Sequence, residues 1–454
     1  VGPPLSRFAR GGRDAIVWAS LNGENMPMTH ITIPYGRETL GLDIPAANLV
    51  GVYAPHPVAP VDDATAEIKR ALAQPIGGPS LRELARHARR VVIVADDLTR
   101  PTPTQLIIPL LLDELQAAGV PDAAVQVIIA LGTHRQMTEP EIVEKFGEQV
   151  VRRVPVINHN AFDDDALVDL GTTPSGVPVQ VNRQVTEADL VLGVGSIVPH
   201  HIPGFSGGAK IIQPGVCGHR TTGEVHLLSV RHERSLMGVT ESVVRQEMEA
   251  IAERVGLRAI LNTVLDSVGR VVGAFYGEPK ATFRRGVELS RQVYGVPVPG
   301  LADIVVASSS PCDSEFWQAH KTLYSAELCV RQGGTIIIVT PCPEGVAATH
   351  SGVLHFAGRP MAEIDAAIRA GEIEDLTGGA LALAWANARR RATVAMVSGG
   401  ITAEETRALG FQPFDTLDEA LGDAFARHGA QARVTVLPFA PDTLPLLDEG
   451  RAEG

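Results

Sequence analysis

Short runs of β-branched and aliphatic residues recur along this chain, and each empties into a polar loop. Val91-Val92-Ile93-Val94-Ala95 leads into Asp96-Asp97-Leu98-Thr99-Arg100-Pro101. Val125-Gln126-Val127-Ile128-Ile129-Ala130 leads into Gly132-Thr133-His134-Arg135, and Leu190-Val191-Leu192-Gly193-Val194 precedes a segment rich in His and Gly that starts at His200. Runs this short and this apolar read as strands buried on both faces, the habit of parallel sheets. Between the first two, Leu106, Ile107, Leu110, Leu111 and Leu115 recur at helical spacing over Thr104 to Ala118, and Gly119 ends the pattern. Thr138 and Glu141 are spaced as a capping box opening another helix.

A second series starts near residue 300. Ile304 to Ala307, Gly334 to Val339 and Thr393 to Val397 read as strands, with a helical pattern around Phe316 to Val330. Pro297-Val298-Pro299-Gly300 reads as a linker between the two series. The expected fold class is therefore α/β: two α/β domains with mainly parallel sheets and an active-site cleft between them that opens and closes. The expected divisions are a disordered N-terminal extension over 1–27, an N-terminal catalytic α/β domain over 28–296, a C-terminal α/β domain over 300–437, and a tail over 438–454 that returns to the first domain or stays disordered. Folding signals begin near His30-Ile31-Thr32-Ile33, which makes Met26 and Met28 candidate starts of translation.

Composition narrows the function classes. The net charge of −13 lacks the basic surface that non-specific nucleic-acid binding needs. It leaves a small anionic substrate open, because such a ligand responds to local charge. No apolar run approaches the roughly 20 residues of a membrane span, and the first 27 residues carry no signal-peptide core. The four cysteines, Cys217, Cys312, Cys329 and Cys342, form no Cys-x-x-Cys and no disulfide framework. No membrane and no nucleic-acid partner is expected, and a reducing cytoplasm fits best.

The candidate chemistry lies in the loops after the first three strands, which share one edge of a parallel sheet and can converge there. His200-His201-Ile202-Pro203-Gly204-Phe205-Ser206-Gly207-Gly208-Ala209-Lys210 offers two adjacent imidazoles and a lysine around a glycine-rich turn, with His226 further on. A lone His is ordinarily structural; three with a Lys around such a loop favour acid/base or metal chemistry. Gly193-Val194-Gly195 lacks the third glycine of a dinucleotide fingerprint, and Gly204 to Lys210 lacks Walker spacing, so neither an NAD site nor a P-loop is supported. Arg100, on a loop stiffened by Pro101 and Pro103, suits a carboxylate or a phosphate, or else a plain surface pair with Asp97. His134 stands at another strand end as a candidate partner base for His200. Gln318 and Lys321, three apart on a helix, share a face that can hold a carboxylate or simply be solvated. His159 and His320 are not chosen as catalytic.

Taken together, these residues resemble the lactate racemase family, the nickel-pincer-nucleotide 2-hydroxyacid racemases and epimerases. The resemblance runs from Ile33-Pro34-Tyr35-Gly36 into the second α/β series. It implies a nickel-pincer nucleotide, a pyridinium-3,5-bisthiocarboxylic acid mononucleotide carrying nickel, attached covalently at Lys210 and ligated by His226. It implies His134 and His200 as the two acid/base groups, Asp97, Leu98, Thr99 and Arg100 as cofactor contacts, and Arg100, Gln318 and Lys321 as substrate contacts. The implied reaction inverts C2 of a 2-hydroxyacid (lactate, malate or a similar acid) by proton-coupled hydride transfer, with the substrate and the cofactor-making enzymes as partners. Cys312-Asp313-Ser314-Glu315-Phe316-Trp317 is acidic and bulky, so lactate itself is not assumed. The competing readings are a conventional metal-dependent hydrolase or lyase using the His cluster, and a non-catalytic ligand-binding relative.

Overall fold

A computed structural model describes residues 27–230 and 235–447. The expected N-terminal extension lies almost wholly outside them. The chain is mixed α/β with mainly parallel sheets, and it divides into two compact units. One comprises Pro55–Gly295 with Ala366–Leu381; the other comprises 27–54, Val296–Asp365 and the chain from 382 onward.

The first unit is built on a six-stranded sheet in the order Val271–Gly277, Leu257–Leu265, Leu190–Ser196, Val91–Asp96, Val125–Ala130, Val156–Asn158. All neighbours pair in parallel except the edge strand Val271–Gly277, which runs antiparallel to its neighbour. The three strands anticipated from sequence occupy the middle, and Val91 to Ala95 are fully buried, as two-sided coverage requires. The helix Thr104–Ala117 buries Ile107, Ile108, Leu111, Leu112 and Leu115 against this sheet. Each such side chain contributes roughly 1.5–3 kcal/mol on leaving water. The Thr138 backbone N–H and hydroxyl both donate to Glu141, at 2.8 and 3.1 Å, so the capping box forms at the start of Glu139–Phe146.

The second unit holds a six-stranded parallel sheet in the order Gln412–Phe414, Ala392–Ser398, Val330–Thr340, Ala302–Ser308, Val434–Leu437, Leu49–Val52. The chain divides differently here from the sequence boundaries. Residues 28–54, expected in the N-terminal domain, belong to this unit. Leu49–Val52 pairs with Val434–Leu437, and Ile31, Ile33, Leu42 and Ile44 of the hairpin Met28–Pro45 share a core with Ile304, Val306, Ile337 and Val339. The described part of the tail also stays with this unit, where Leu444–Leu447 pairs with Gly295–Val298, a strand that overlaps the start of the segment Pro297 to Gly300 read as a linker. The helix expected over 316–330 is two helices, Phe316–Ala319 and Thr322–Cys329, with the last residue of the pattern already in the strand Val330–Thr340.

Candidate active site

The carboxyl edge of the first unit's sheet carries the candidate residues read from the first three strand ends. Val91–Asp96 delivers Asp97 to Arg100, Val125–Ala130 delivers His134, and the adjacent Leu190–Ser196 delivers His200. Parallel pairing forces these three loops onto one edge, and two contacts bridge them. His134 Nδ1 lies 2.6 Å from Asp97 Oδ2, joining residues 37 apart in sequence. The Thr102 and Ser196 hydroxyls lie 2.7 Å apart, joining the first loop to the end of the third strand.

Asp97 is 4% exposed. Burial pulls its pKa upward, but the charge and hydrogen bond of His134, the Arg100 guanidinium and the Thr99 hydroxyl outweigh burial and hold it well below the usual carboxylate range. An ionised Asp97 accepts the proton on Nδ1 of His134, which places the neutral ring's lone pair on Nε2. The Thr99 N–H and hydroxyl donate to the other Asp97 oxygen at 3.0 and 2.5 Å. Arg100 folds onto its own loop through Thr99, and Leu98 is exposed. Arg135, next to His134, is gripped by both oxygens of Glu141, at 2.9 and 2.7 Å.

His200 sits in a tight antiparallel hairpin opposite Gly204. Its Nδ1 accepts the Ile202 backbone N–H at 3.2 Å, so its neutral ring carries the proton on Nε2, opposite to His134. Its ring stacks on His201 at 4.6 Å between centroids. Gly204 has φ +84°, and a Cβ there would lie 1.6 Å from the Val239 carbonyl oxygen. Gly207 and Gly208, at φ +75° and +60°, turn the chain into the short 3-10 helix Gly208–Ile211 that carries Lys210. The Gly193-Val194-Gly195 pattern has a packing cause. A Cβ at Gly193 would lie 2.7 Å from the Ile211 side chain, and one at Gly195 would lie 3.0 Å from the Asp96 carboxylate.

His226 is buried in the helix His219–Val230, with Nδ1 2.7 Å from the Thr222 carbonyl oxygen. That bond takes the Nδ1 proton, which leaves the lone pair of the neutral ring on Nε2. The helix Val243–Val255 packs against both this helix and the Lys210 turn. In the second unit, Lys321 Nζ donates to Gln318 Oε1 at 2.5 Å, so the two residues meet across the break between their helices.

Residues 35–238 match the family described as lactate racemase N-terminal domain, and residues 299–442 match the lactate racemase C-terminal domain. The chain is 30% identical to the lactate racemase of Lactiplantibacillus plantarum over 422 residues, covering 90% of this chain and 98% of that one. This chain belongs to the lactate racemase family. A lactate racemase of Thermoanaerobacterium thermosaccharolyticum is 34% identical over 324 residues, covering 70% of this chain and 76% of the relative. The apoprotein structure of the lactate racemase from that organism superposes with a TM-score of 0.84 at 29% identity, covering 92% of this chain and all of that one. A structure from Thermotoga maritima shares the fold at 21% identity and TM-score 0.68. The relatives place this chain among the racemases, a class of isomerase.

Within this family fold, the two histidines not chosen as catalytic, His159 and His320, sit in buried hydrogen-bonded positions. His159 Nε2 donates to the Cys217 carbonyl at 2.9 Å, while Nδ1 accepts from Asn182 at 3.2 Å. Burial depresses its pKa to about 4. His320 Nδ1 meets the Tyr324 hydroxyl at 3.0 Å, and its ring packs on Phe316 and Trp385. Three residues behind the strand-end loops escaped sequence reading. Asp96 is half-buried, desolvation of its carboxyl raises its pKa, and it accepts from the Thr102 hydroxyl at 2.7 Å and the Ser196 N–H at 3.2 Å. Lys145, also buried, donates to the carbonyls of Arg100 and Thr102. Arg245 lies beneath the His200–Lys210 loop. The doubled Asp at a strand end was a usable signal for Asp96. Lys145 and Arg245 gave none, since cations on helices are normally solvated.

Proposed function

We propose that this chain is a 2-hydroxyacid racemase or epimerase that inverts the hydroxyl-bearing C2 of lactate, malate or a similar acid. The observation that carries the reading is the His134–Asp97 dyad, together with a second imidazole, His200, on the same sheet edge. An alcohol proton is weakly acidic, so its removal needs a positioned base. His134 accepts it at Nε2 while Asp97 stabilises the resulting imidazolium. His200, entering as the imidazolium, gives its Nε2 proton to the oxygen of the planar keto acid and ends as a neutral ring. In the reverse direction the roles exchange, which accounts for inversion at one carbon without net oxidation. Arg100, Gln318 and Lys321 are assigned to the carboxylate, where a guanidinium, an amide and an ammonium restrain rotation.

A nickel-pincer nucleotide, when bound, would supply the acceptor and donor of the C2 hydride. The donor set fits such a group. His226 presents one imidazole with its far nitrogen tied to a carbonyl, Lys210 supplies an amine for attachment, and Asp97, Leu98, Thr99 and Arg100 are assigned to contact the nucleotide. A conventional hydrolase or lyase would need several protein ligands on one ion. Among the described residues no three His, Cys, Asp or Glu side chains are grouped to hold a metal. The same proposal includes cofactor-making enzymes as partners and a cytoplasmic location. In support of that location, none of the four cysteines forms a disulfide.

The test is co-expression with the cofactor-making enzymes, followed by intact-protein mass, nickel analysis and chiral chromatography of 2-hydroxyacids. The expected result is a mass increment mapping to Lys210, lost in Lys210→Ala, with nickel lost in His226→Ala. Racemisation is expected to vanish in both directions in His134→Ala and in His200→Ala. An unmodified chain that keeps a different tightly bound metal would overturn the assignment.

A further inference from the structure

Arg245 is a fully buried cation. Burial lowers its pKa only to about 10, so it stays charged at neutral pH. No carboxylate among the described residues lies within ion-pair distance of it; Glu249 and Glu241 act on it only through space. A buried charge without a counter-ion is costly and persists only where other groups satisfy it. Here those groups are backbone carbonyls on Nη1 and Nη2, all of them in the loop between His200 and Lys210, while Nε makes no hydrogen bond among the described residues.

The guanidinium donates to the carbonyls of Pro203 and Phe205 through Nη2 and to that of Gly207 through Nη1, at 3.1 Å for Gly207 and 3.4 Å for Pro203. The Gly207 carbonyl also accepts the Lys210 backbone N–H, at 3.3 Å. One oxygen thus links the buried cation to the lysine that the functional reading makes the attachment point. The far face of the guanidinium stacks on Phe283 at 4.0 Å from the ring centroid. The same ring closes over Gly208, where a Cβ would lie 3.0 Å from it. Asn262 holds the other side, accepting the Gly208 N–H at 2.9 Å.

We propose that Arg245 is a positioning residue that holds the His200–Lys210 loop in its active shape. Its planar fork reaches carbonyls spread over five residues, which the compact ammonium of a lysine does not. The link to catalysis rests on the racemase reading above; the clamp itself does not.

The experiment uses the full chain with Arg245→Lys and Arg245→Met. Hydrogen exchange followed by mass spectrometry reads the peptide covering 203–210 against peptides from Val91–Asp96 and Val125–Ala130. Both variants are expected to exchange about tenfold faster over 203–210, with the two strands unchanged. In cofactor-loaded protein, kcat per Lys210 adduct counted by intact mass is expected to fall at least about tenfold while KM stays within about twofold, because the carboxylate contacts lie elsewhere. A purely structural role would lower the loaded fraction and leave kcat per adduct unchanged. That result would overturn the proposal, as would exchange over 203–210 that rises only in step with the strands. If Arg245→Met does not fold, Arg245→Lys, which keeps the charge and most of the volume, decides alone. If the wild type racemises no hydroxyacid, the racemase reading fails, and the exchange measurement still decides the clamp.

Discussion

Replacing Asp97 with Asn keeps the shape of the dyad and removes its charge. His134 Nδ1 and Asp97 Oδ2 are 2.6 Å apart. With charge centres about 4 Å apart and an effective dielectric of about 20, the imidazolium–carboxylate attraction is about 4 kcal/mol. The His134 side chain is 23% exposed, so solvent screening trims this to roughly 2–3 kcal/mol. The attraction exists only once His134 has taken the substrate proton, so its loss falls on the transition state rather than on binding. The expected cost is about 30- to 150-fold in kcat. For a substrate with one stereocentre the enantiomers are equal in free energy, so kcat/KM must fall by the same factor in both directions. The assay is chiral chromatography starting from each enantiomer in turn, normalised to nickel and to Lys210 adduct. A kcat within about threefold of wild type at equal loading would refute the dyad argument.

Two further outcomes follow from local structure. His159 is buried neutral, with a pKa of about 4 against an ordinary 6.5. The unfolded chain therefore takes up a proton below pH 6.5 that the native chain refuses until about pH 4. Its contribution is whole above pH 6.5 and shrinks as pH falls towards 4, by about 3 kcal/mol in total. Urea unfolding across that window checks this alongside NMR of the ring, and a His159 ring that titrates near 6.5 would contradict it. Gly204→Ala drives a methyl towards the Val239 carbonyl oxygen, to 1.6 Å if nothing moves, at a φ of +84°. A loss of more than about 3 kcal/mol is expected by thermal unfolding; a midpoint within about 2 °C of wild type would show that the hairpin shifts freely.

Much of this molecule is legible in one dimension. Val91 to Ala95, Val125 to Ala130 and Leu190 to Val194 announce buried parallel strands because two-sided burial leaves few polar positions, Gln126 being the exception among them. Parallel connections then place Asp97, His134 and His200 at one edge, so the candidate site was legible as a set of strand ends. The capping box at Thr138 was equally plain, since it depends on residues three apart. Local rules reach this far because they need only neighbours in sequence.

The rest was settled by contacts between distant segments. Nothing in the alternation over Met28–Pro45 says which core receives its apolar face, and the hairpin packs on Ile304 and Ile337 rather than on the nearer strand at 91. The opposite tautomers of His134 and His200 follow from an aspartate 37 residues away and from a hairpin amide, partners the sequence does not pair by itself. Arg245 reads on its helix as an ordinary solvated cation; only the fold turns it inward beneath the Lys210 loop. Sequence determined the strands, the loops and the residue types available for chemistry, because periodicity and burial are local. Tertiary structure decided which of those groups touch and in which protonation state, because a hydrogen bond forms only where folding has brought donor and acceptor within about 3 Å.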